Sequence, residues 1–250
     1  MQAGRDDMAI EIKGLHKSFG SNHVLRGFDF QVRTGENVAV LGKSGSGKSV
    51  LIKCIIGLIQ IDKGELNVLG RSVPELTRKE MDLVRRDVGF LFQGAALYDS
   101  MSVRENLEFP LRRHRDQSSR GRSMQQRVEE ALENVGLLHT INLMPSELSG
   151  GMKKRVALAR TLILEPKIIL YDEPTGGLDP ITGREISYLI KEVQERYKAA
   201  AVIITHDLPC AKITTDRIVI LSEGKNYIDG SYDELERSND AVVQEFFKIL

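Results

Sequence analysis

The sequence carries no excess charge of either sign: Lys plus Arg number 35, Asp plus Glu number 35, and the formal net charge is zero. That argues against a nucleic-acid binder working through a basic field, although a local patch is compatible with it. Cysteine is scarce. Cys54 and Cys210 are the only two, too few for a disulfide framework, and both read as small buried hydrophobes in a reducing compartment. No cluster has zinc-ligand spacing. Long apolar runs are missing too. The longest, such as residues 199–204, 55–59 and 218–221, fall far short of the ~18 residues a membrane-spanning helix needs. Residues 1–8 are polar and acidic and do not read as a secretory leader. Any membrane role is therefore expected to come through a partner.

What is present is an ordinary globular mixture of 250 residues, 41% hydrophobic and 28% charged, enough for a real core. Short Val- and Ile-rich runs predict strands over residues 9–12, 28–32, 38–41, 66–69, 88–92, 168–171, 201–204 and 217–221. Several are apolar throughout, as expected of strands buried on both faces of a parallel sheet. Helical periods lie between them: Val128, Ala131, Leu132 and Val135 make one stripe, and Met152, Val156, Ala159 and Ile163 another. The alternation predicts an α/β fold with a mostly parallel sheet. Residues 112–122 break it with a polar, strongly basic run. No aromatic residue interleaves with those charges, so the run reads as a solvated loop rather than a nucleic-acid contact.

Gly42-Lys43-Ser44-Gly45-Ser46-Gly47-Lys48-Ser49 fits the phosphate-loop pattern in full, between the apolar strand and a helical run that starts at Val50. Glycines let successive N–H groups turn inward toward phosphate oxygens, and the following helix offers its positive end to the same anion. Lys48 suits the β- and γ-phosphates, and the Ser49 hydroxyl suits Mg²⁺. A second apolar strand ends in Asp172-Glu173. Neighbouring side chains on a strand diverge, so Asp172 suits the Mg²⁺ shell and Glu173 suits polarising a water. On its own such an ending is as often a helix cap or a solvated loop. The phosphate loop upstream and Pro174-Thr175-Gly176-Gly177-Leu178-Asp179 downstream raise the functional reading.

Leu148-Ser149-Gly150-Gly151-Met152 completes a set of motifs that resembles the ATP-binding-cassette (ABC) ATPases along essentially the whole chain. Phe19 resembles the aromatic that stacks on adenine. Gln93 matches the glutamine of the Q-loop, with a place near both metal and chemistry. Gly177-Leu178-Asp179 matches the D-loop, and His206 the switch histidine. The resemblance implies a P-loop NTPase fold: a RecA-like core over about 8–93 and 165–240, an antiparallel β region, and a helical subdomain over about 94–164. A short C-terminal helix over about 240–250 would carry Val243, Phe246, Phe247 and Leu250 on one face, with no length left for a regulatory domain. Val50 is counted with the phosphate loop among the ATP contacts. His16, His23, His114 and His139 carry no assigned role.

Ser149, with Gly150 and Gly151, also reads as a helix N-cap with close backbone access, a second anion-facing helix end. The resemblance implies that one chain cannot close both ends on one nucleotide. It implies a head-to-tail homodimer around two ATPs, each held by one subunit's Lys48 loop and the other's Ser149 and Asp179 region. Met152 stands where many relatives have Gln, and Gly176 where Ser is common; neither change removes a phosphate ligand or the base. Met152-Lys153-Lys154-Arg155, Tyr171 before Asp172, and Asp179-Pro180-Ile181-Thr182 resemble the subgroup that moves lipids across bacterial envelopes, the Mla and Mce-type systems.

Together these imply an ATPase on the cytoplasmic face of the inner membrane, attached through a separate permease, with lipid-carrier or accessory subunits and no nucleic-acid partner. Residues 95–98 and the helix starting near Val103 match the surface that receives the permease. An importer of amino acids or another polar solute, or a soluble ABC protein acting on DNA or ribosomes, are the alternatives. The latter usually carries two cassettes or a coiled-coil insertion, and neither is present here.

Overall fold

The computed structural model describes residues 8–114 and 121–247. The N-terminal acidic stretch up to residue 7, residues 115–120 of the basic run and Leu250 lie outside them. Elements are numbered in chain order. The first two, β1 (Met8–Phe19) and β2 (Asn22–Arg33), form a hairpin whose tight turn places Gly20 at φ +59. Their register shifts between Leu15 and His16, opposite Gly27, which takes φ +85 as the extra residue of a bulge. After β3 (Asn37–Leu41) and α1 (Lys48–Ile55), β4 (Lys63–Val68) and β5 (Arg71–Ser72) complete an antiparallel sheet of order β2-β1-β4-β5.

The second sheet takes β3, β6 (Val88–Leu91), β7 (Ile168–Asp172), β8 (Ala200–Ile204), β9 (Arg217–Ser222) and β10 (Lys225–Gly230), in the order β10-β9-β3-β8-β7-β6. Every neighbouring pair is parallel except the terminal hairpin of β9 and β10. In the central strands β3, β7 and β8, apolar residues at nearly every position, rather than every second one, mean that both faces are covered. Alternate residues enter different cores. Val38, Val40, Ile168, Leu170, Val202 and Ile204 pack with α1 against the antiparallel sheet. Ile169, Tyr171, Ala201 and Ile203 point the other way, toward α3 (Val103–Arg113), α4 (Met124–Glu133), α5 (Gly150–Leu162) and α6 (Pro180–Tyr197). Ala39 and Leu41 meet a third, smaller core under α7 (Leu208–Thr214), α8 (Tyr232–Glu236) and α9 (Ala241–Phe247).

Local chemistry sets the helix ends. α2 (Arg78–Asp87), α3, α4 and α8 each open with a reciprocal capping box, from Thr77 with Glu80, Ser102 with Glu105, Ser123 with Gln126 and Ser231 with Glu234. Val135 and Ile163, placed on helical stripes by their spacing, fall just past the ends of α4 and α5, where they are still buried. The strand over 217–221 is not the last one. β10 follows it with the polar run KNYIDG, exposed at every second position, which an apolar criterion passes over. In α9, Val243 is fully buried, while Phe246 and Phe247 pack partly against the third core.

Candidate functional site

Parallel strands of one sheet deliver their C-terminal ends to one edge, and ligands of open α/β sheets bind in the crevice there. β3 ends in the glycine-rich loop, β7 in Asp172, β8 in the segment Thr205–His206, and Gln93 follows two residues after β6. These ends, with Phe19 from β1 and Leu208 and Pro209 from α7, line a cleft of about 960 Å³. Phe19, Gly42, Lys43, Ser44, Gly45, Gly47, Lys48, Ser49, Val50, Gln93, Asp172, Glu173 and His206 are thus brought together. Ser149, Gly150, Gly151 and Asp179 are not among that cleft's walls. Asp179 borders a neighbouring hollow beyond His206 and Asp207.

The loop admits no bulk. A Cβ on Gly42 would lie 2.5 Å from Ser46 Oγ and 2.9 Å from the Leu221 carbonyl, and one on Gly47 would meet Val24 Cγ1 at 2.7 Å. Gly45 and Gly47 also occupy the left-handed region, φ +78 and +105. The curled backbone leads directly into α1, the arrangement that suits a polyphosphate. Ser46 Oγ is buried and has no hydrogen-bond partner among the described residues, a donor placed within a phosphate-shaped loop. Lys48 is folded back, its ammonium donating to the carbonyls of Gly42 at 2.7 Å and Lys43 at 3.1 Å. Burial lowers its pKa, while the carboxylates of Glu173 and Asp172 favour the charged form. A phosphate would replace two neutral carbonyls as the partner of this partly desolvated cation.

Ser49 Oγ approaches Asp172 Oδ1 at 3.4 Å. Burial, and then the charge of Glu173, hold the Asp172 pKa above the usual carboxylate range, with the Ser49 hydroxyl working against them. One hydroxyl and one carboxylate oxygen form a hard-oxygen donor set that suits Mg²⁺, an ion that keeps waters and phosphate oxygens for its other positions. Among the described residues no group of three or more His, Cys, Asp or Glu side chains could hold a metal ion, so a cage made entirely by such side chains is not the form this site takes.

Glu173 sits in the left-handed region at φ +48, unusual for a residue with a side chain and costing about 1–3 kcal/mol. Its N–H donates to the Ile204 carbonyl at 2.8 Å, and its own carbonyl accepts from Gly176 N at 3.0 Å and Lys154 Nζ at 3.2 Å. Held this way, its carboxylate leaves the strand direction and meets the end of β8. Oε2 lies 2.9 Å from His206 Nδ1, 3.3 Å from Thr205 Oγ1 and 3.4 Å from the His206 N–H. The Glu173 side chain is largely buried, whereas that of His206 is 73% exposed and lines the cleft. Sequence reasoning passed over Asp207. It accepts from Thr175 Oγ1 at 2.7 Å and caps α7 through Cys210 N at 3.2 Å, tying the segment after β7 to that after β8. A helix cap followed by Pro209 was its visible signal. Glu245 and Phe246 of α9 also reach the cleft, and Glu245 pairs with Lys43 at 2.6 Å. No motif announces either residue.

Ser149 is the N-cap of α5, accepting from Met152 N at 3.2 Å. A Cβ on Gly151 would lie 2.7 Å from Thr182 Cγ2, so that glycine keeps the start of α5 close to α6. Asp179 caps α6 by accepting from the N–H groups of Ile181 and Thr182. The surface matched to a permease is only partly open. Ala95 and Val103 are buried, whereas Ala96 and Tyr98 are exposed, with Tyr98 against Phe109 at 4.9 Å between ring centres. Ala95 and Ala96 both take positive φ, and their carbonyls accept from Arg160 at 3.2 and 2.9 Å.

The family model described as "ABC transporter" matches residues 25–176. The chloroplast protein TRIGALACTOSYLDIACYLGLYCEROL 3 of Arabidopsis thaliana is 40% identical, over 96% of this chain and 73% of that protein. The probable ribonucleotide transport ATP-binding protein mkl of Mycobacterium leprae is 39% identical, over 96% and 68% respectively. The methionine import ATP-binding protein MetN of Campylobacter jejuni is 36% identical, over 95% and 75%. Among solved structures, cbiO1 of Clostridium perfringens, part of the ABC transporter complex cbiONQ, superposes with a TM-score of 0.84 at 28% identity, covering 97% of this chain and 96% of that one. A dimeric ATP-binding cassette in a post-hydrolysis state with ADP and Pi superposes with a TM-score of 0.79 at 33% identity, covering 89% and 98%.

Proposed function

The chain belongs to the ABC transporter family, as an ATP-binding subunit that couples ATP hydrolysis to transport, and we propose that it works as a homodimer closing on two MgATP to drive a separate permease that moves phospholipid or a related lipid. The observation that carries the two-subunit reading is the separation of two anion-facing helix starts. One follows the Lys48 loop inside the cleft; the other, capped by Ser149, is not among its walls. A second copy turned head to tail brings its Ser149 and Asp179 region to this cleft.

Within the cleft the chain's own residues divide the work. Phe19 stacks on the base, the loop from Gly42 to Val50 wraps the phosphates, and Lys48 swings from the Gly42 and Lys43 carbonyls onto them. Ser49, Asp172 and Gln93 would hold Mg²⁺, which would supply neutralisation of the developing phosphate charge. Glu173 takes a proton from the attacking water, and His206 orients that carboxylate and senses the γ-phosphate. Residues 95–98, with Tyr98 exposed, and the start of α3 receive the permease on the cytoplasmic side. No helix among the described residues is long and apolar enough to cross a membrane.

The lipid cargo is supported by the Met152-Lys153-Lys154-Arg155 and Tyr171-Asp172 features and by a relative named after a galactolipid. The relatives named for methionine and for sulfate or thiosulfate import keep a polar solute as the second reading. Purification of the tagged chain from detergent-solubilised membranes tests the proposal. The expected result is a co-purifying integral-membrane chain, bound phospholipid by mass spectrometry, and ATPase activity that rises in phospholipid nanodiscs. Stimulation by a soluble amino-acid or sulfate receptor instead would overturn the lipid reading.

A further inference from the structure

Lys154 lies in the first half of α5, five residues after the Ser149 cap, and is only 5% exposed. Its ammonium donates to the Gln93 carbonyl at 2.5 Å and to the Glu173 carbonyl at 3.2 Å. Burial of an ammonium without a partner is costly; here the partners are two main-chain oxygens from two segments of the cleft. Other bonds already tie α5 to the strand-and-loop segment that holds Gln93. Arg160 donates to the carbonyls of Ala95 and Ala96 at 3.2 and 2.9 Å. Lys154 extends this tie across to Glu173. The Glu173 carbonyl it grips belongs to the residue at φ +48, whose backbone conformation turns the carboxylate toward Thr205 and His206.

We propose that Lys154 is a positioning residue, which ties the Ser149-capped helix to the backbone of Glu173 and Gln93 and so sets the direction of the Glu173 carboxylate according to where that helix sits. The inference rests on the reading of Glu173 as the base. Its consequence is mechanical. A partner nucleotide that draws the Ser149 end into place moves, through one side chain, the carbonyls of both Gln93 and Glu173. The base is then aimed only when α5 is docked.

Lys154→Met keeps the apolar stem and removes the donor; Lys154→Arg keeps a charged donor. Both are compared with Glu173→Gln by steady-state ATPase and by fluorescent ATP binding to the isolated chain. For Lys154→Met the expected result is ATP affinity within about twofold of wild type and kcat lower by about 10-fold to 100-fold, as for a misplaced catalytic group. Lys154→Arg should recover much of that loss. Should Lys154→Met melt too low to assay, Lys154→Leu, which also lacks a donor, is read in the same way. Wild-type kcat in a folded Met or Leu variant, with Glu173→Gln inactive, overturns the proposal alone. Equal loss of ATP affinity and kcat also overturns it, by showing a merely structural lysine. Full turnover by Glu173→Gln removes the base itself, a failure of the underlying reading.

Discussion

Glu173 Oε2 and His206 Nδ1 lie 2.9 Å apart, although their residues leave the ends of two adjacent parallel strands. The contact is made in a conformation with Lys48 folded onto its own loop. The two side chains that would face the γ-phosphate thus hold one another, and the cation that would neutralise it is also engaged within the chain.

Glu173→Gln keeps the size of the side chain and removes its basicity. Asp172, Ser49 and Lys48 are untouched, so ATP binding should survive while kcat falls by about 100-fold or more, the effect of a lost general base. ATP then persists between two subunits, and the variant should elute as a dimer in MgATP and as a monomer in MgADP. Turnover at the wild-type rate would remove Glu173 as the base.

Lys48→Ala takes away the cation that the loop positions. A charge-assisted bond of about 2 kcal/mol corresponds to roughly a 30-fold weaker ATP affinity, measurable by equilibrium binding. The pH dependence carries a second signature. Burial lowers the Lys48 pKa, so in the range above its folded value the unfolded chain holds the proton more tightly. Lys48 therefore contributes stability as pH rises from there toward the ordinary lysine value, against the loss contributed over the same alkaline range by Cys54 and Cys210, whose burial pushes their thiols up to about 11. In Lys48→Ala that one contribution is absent, so ligand-free variant and wild type should differ in the pH dependence of their melting by an amount that grows with pH. Near-normal ATP affinity would sink the phosphate-loop assignment.

Much of this was legible in the residues. The loop from Gly42 to Ser49 announces itself, because only glycines tolerate its φ values and its contacts with Val24 and Leu221. Strands apolar on both faces gave the parallel sheet and hence its shared C-terminal edge. The shape of the Glu173 backbone was not legible: the positive φ of this glutamate goes with long-range bonds to Ile204 and Lys154 beside the turn bond from Gly176, and a glutamate's own propensity gives no sign of it. Lys154 itself was legible only as part of Met152-Lys153-Lys154-Arg155, because a linear sequence does not show which of three successive helical residues faces inward. β10 was missed because its KNYIDG run is half exposed at the sheet edge. Glu245 and Phe246 reach the cleft through the packing of α9, to which their own sequence gives no clue.

Ser149→Arg tests whether the second helix end serves another copy. Ser149 is not among the walls of its own chain's cleft, so ATP binding to the isolated chain should change little, while hydrolysis stops because a bulky cation blocks the close approach of the partner's nucleotide. Loss of the Met152 N–H cap bond costs about 1 kcal/mol of stability, which a melting curve separates from the catalytic defect. A loss of ATP affinity as large as that of Lys48→Ala would place Ser149 in the same cleft and end the head-to-tail arrangement.

Tyr171→Phe addresses stability without touching the chemistry. Tyr171 precedes the Mg²⁺-suited Asp172 on β7, but its side chain joins Ile169 in the opposite core and is fully buried. Its hydroxyl has no hydrogen-bond partner among the described residues, and burial pushes its pKa well above the ordinary tyrosine value. A buried polar group left unpaired costs about 1–3 kcal/mol. Removing the oxygen relieves that cost and leaves a void of one atom, which takes part of the gain back. The expected net effect is a gain of up to about 1 kcal/mol, or about 2–4 °C in melting temperature for a chain of this size, with kcat and ATP affinity unchanged. A drop of several degrees would show that the hydroxyl is bonded after all. A loss of turnover at unchanged stability would show that the oxygen acts on the Asp172 end of the strand.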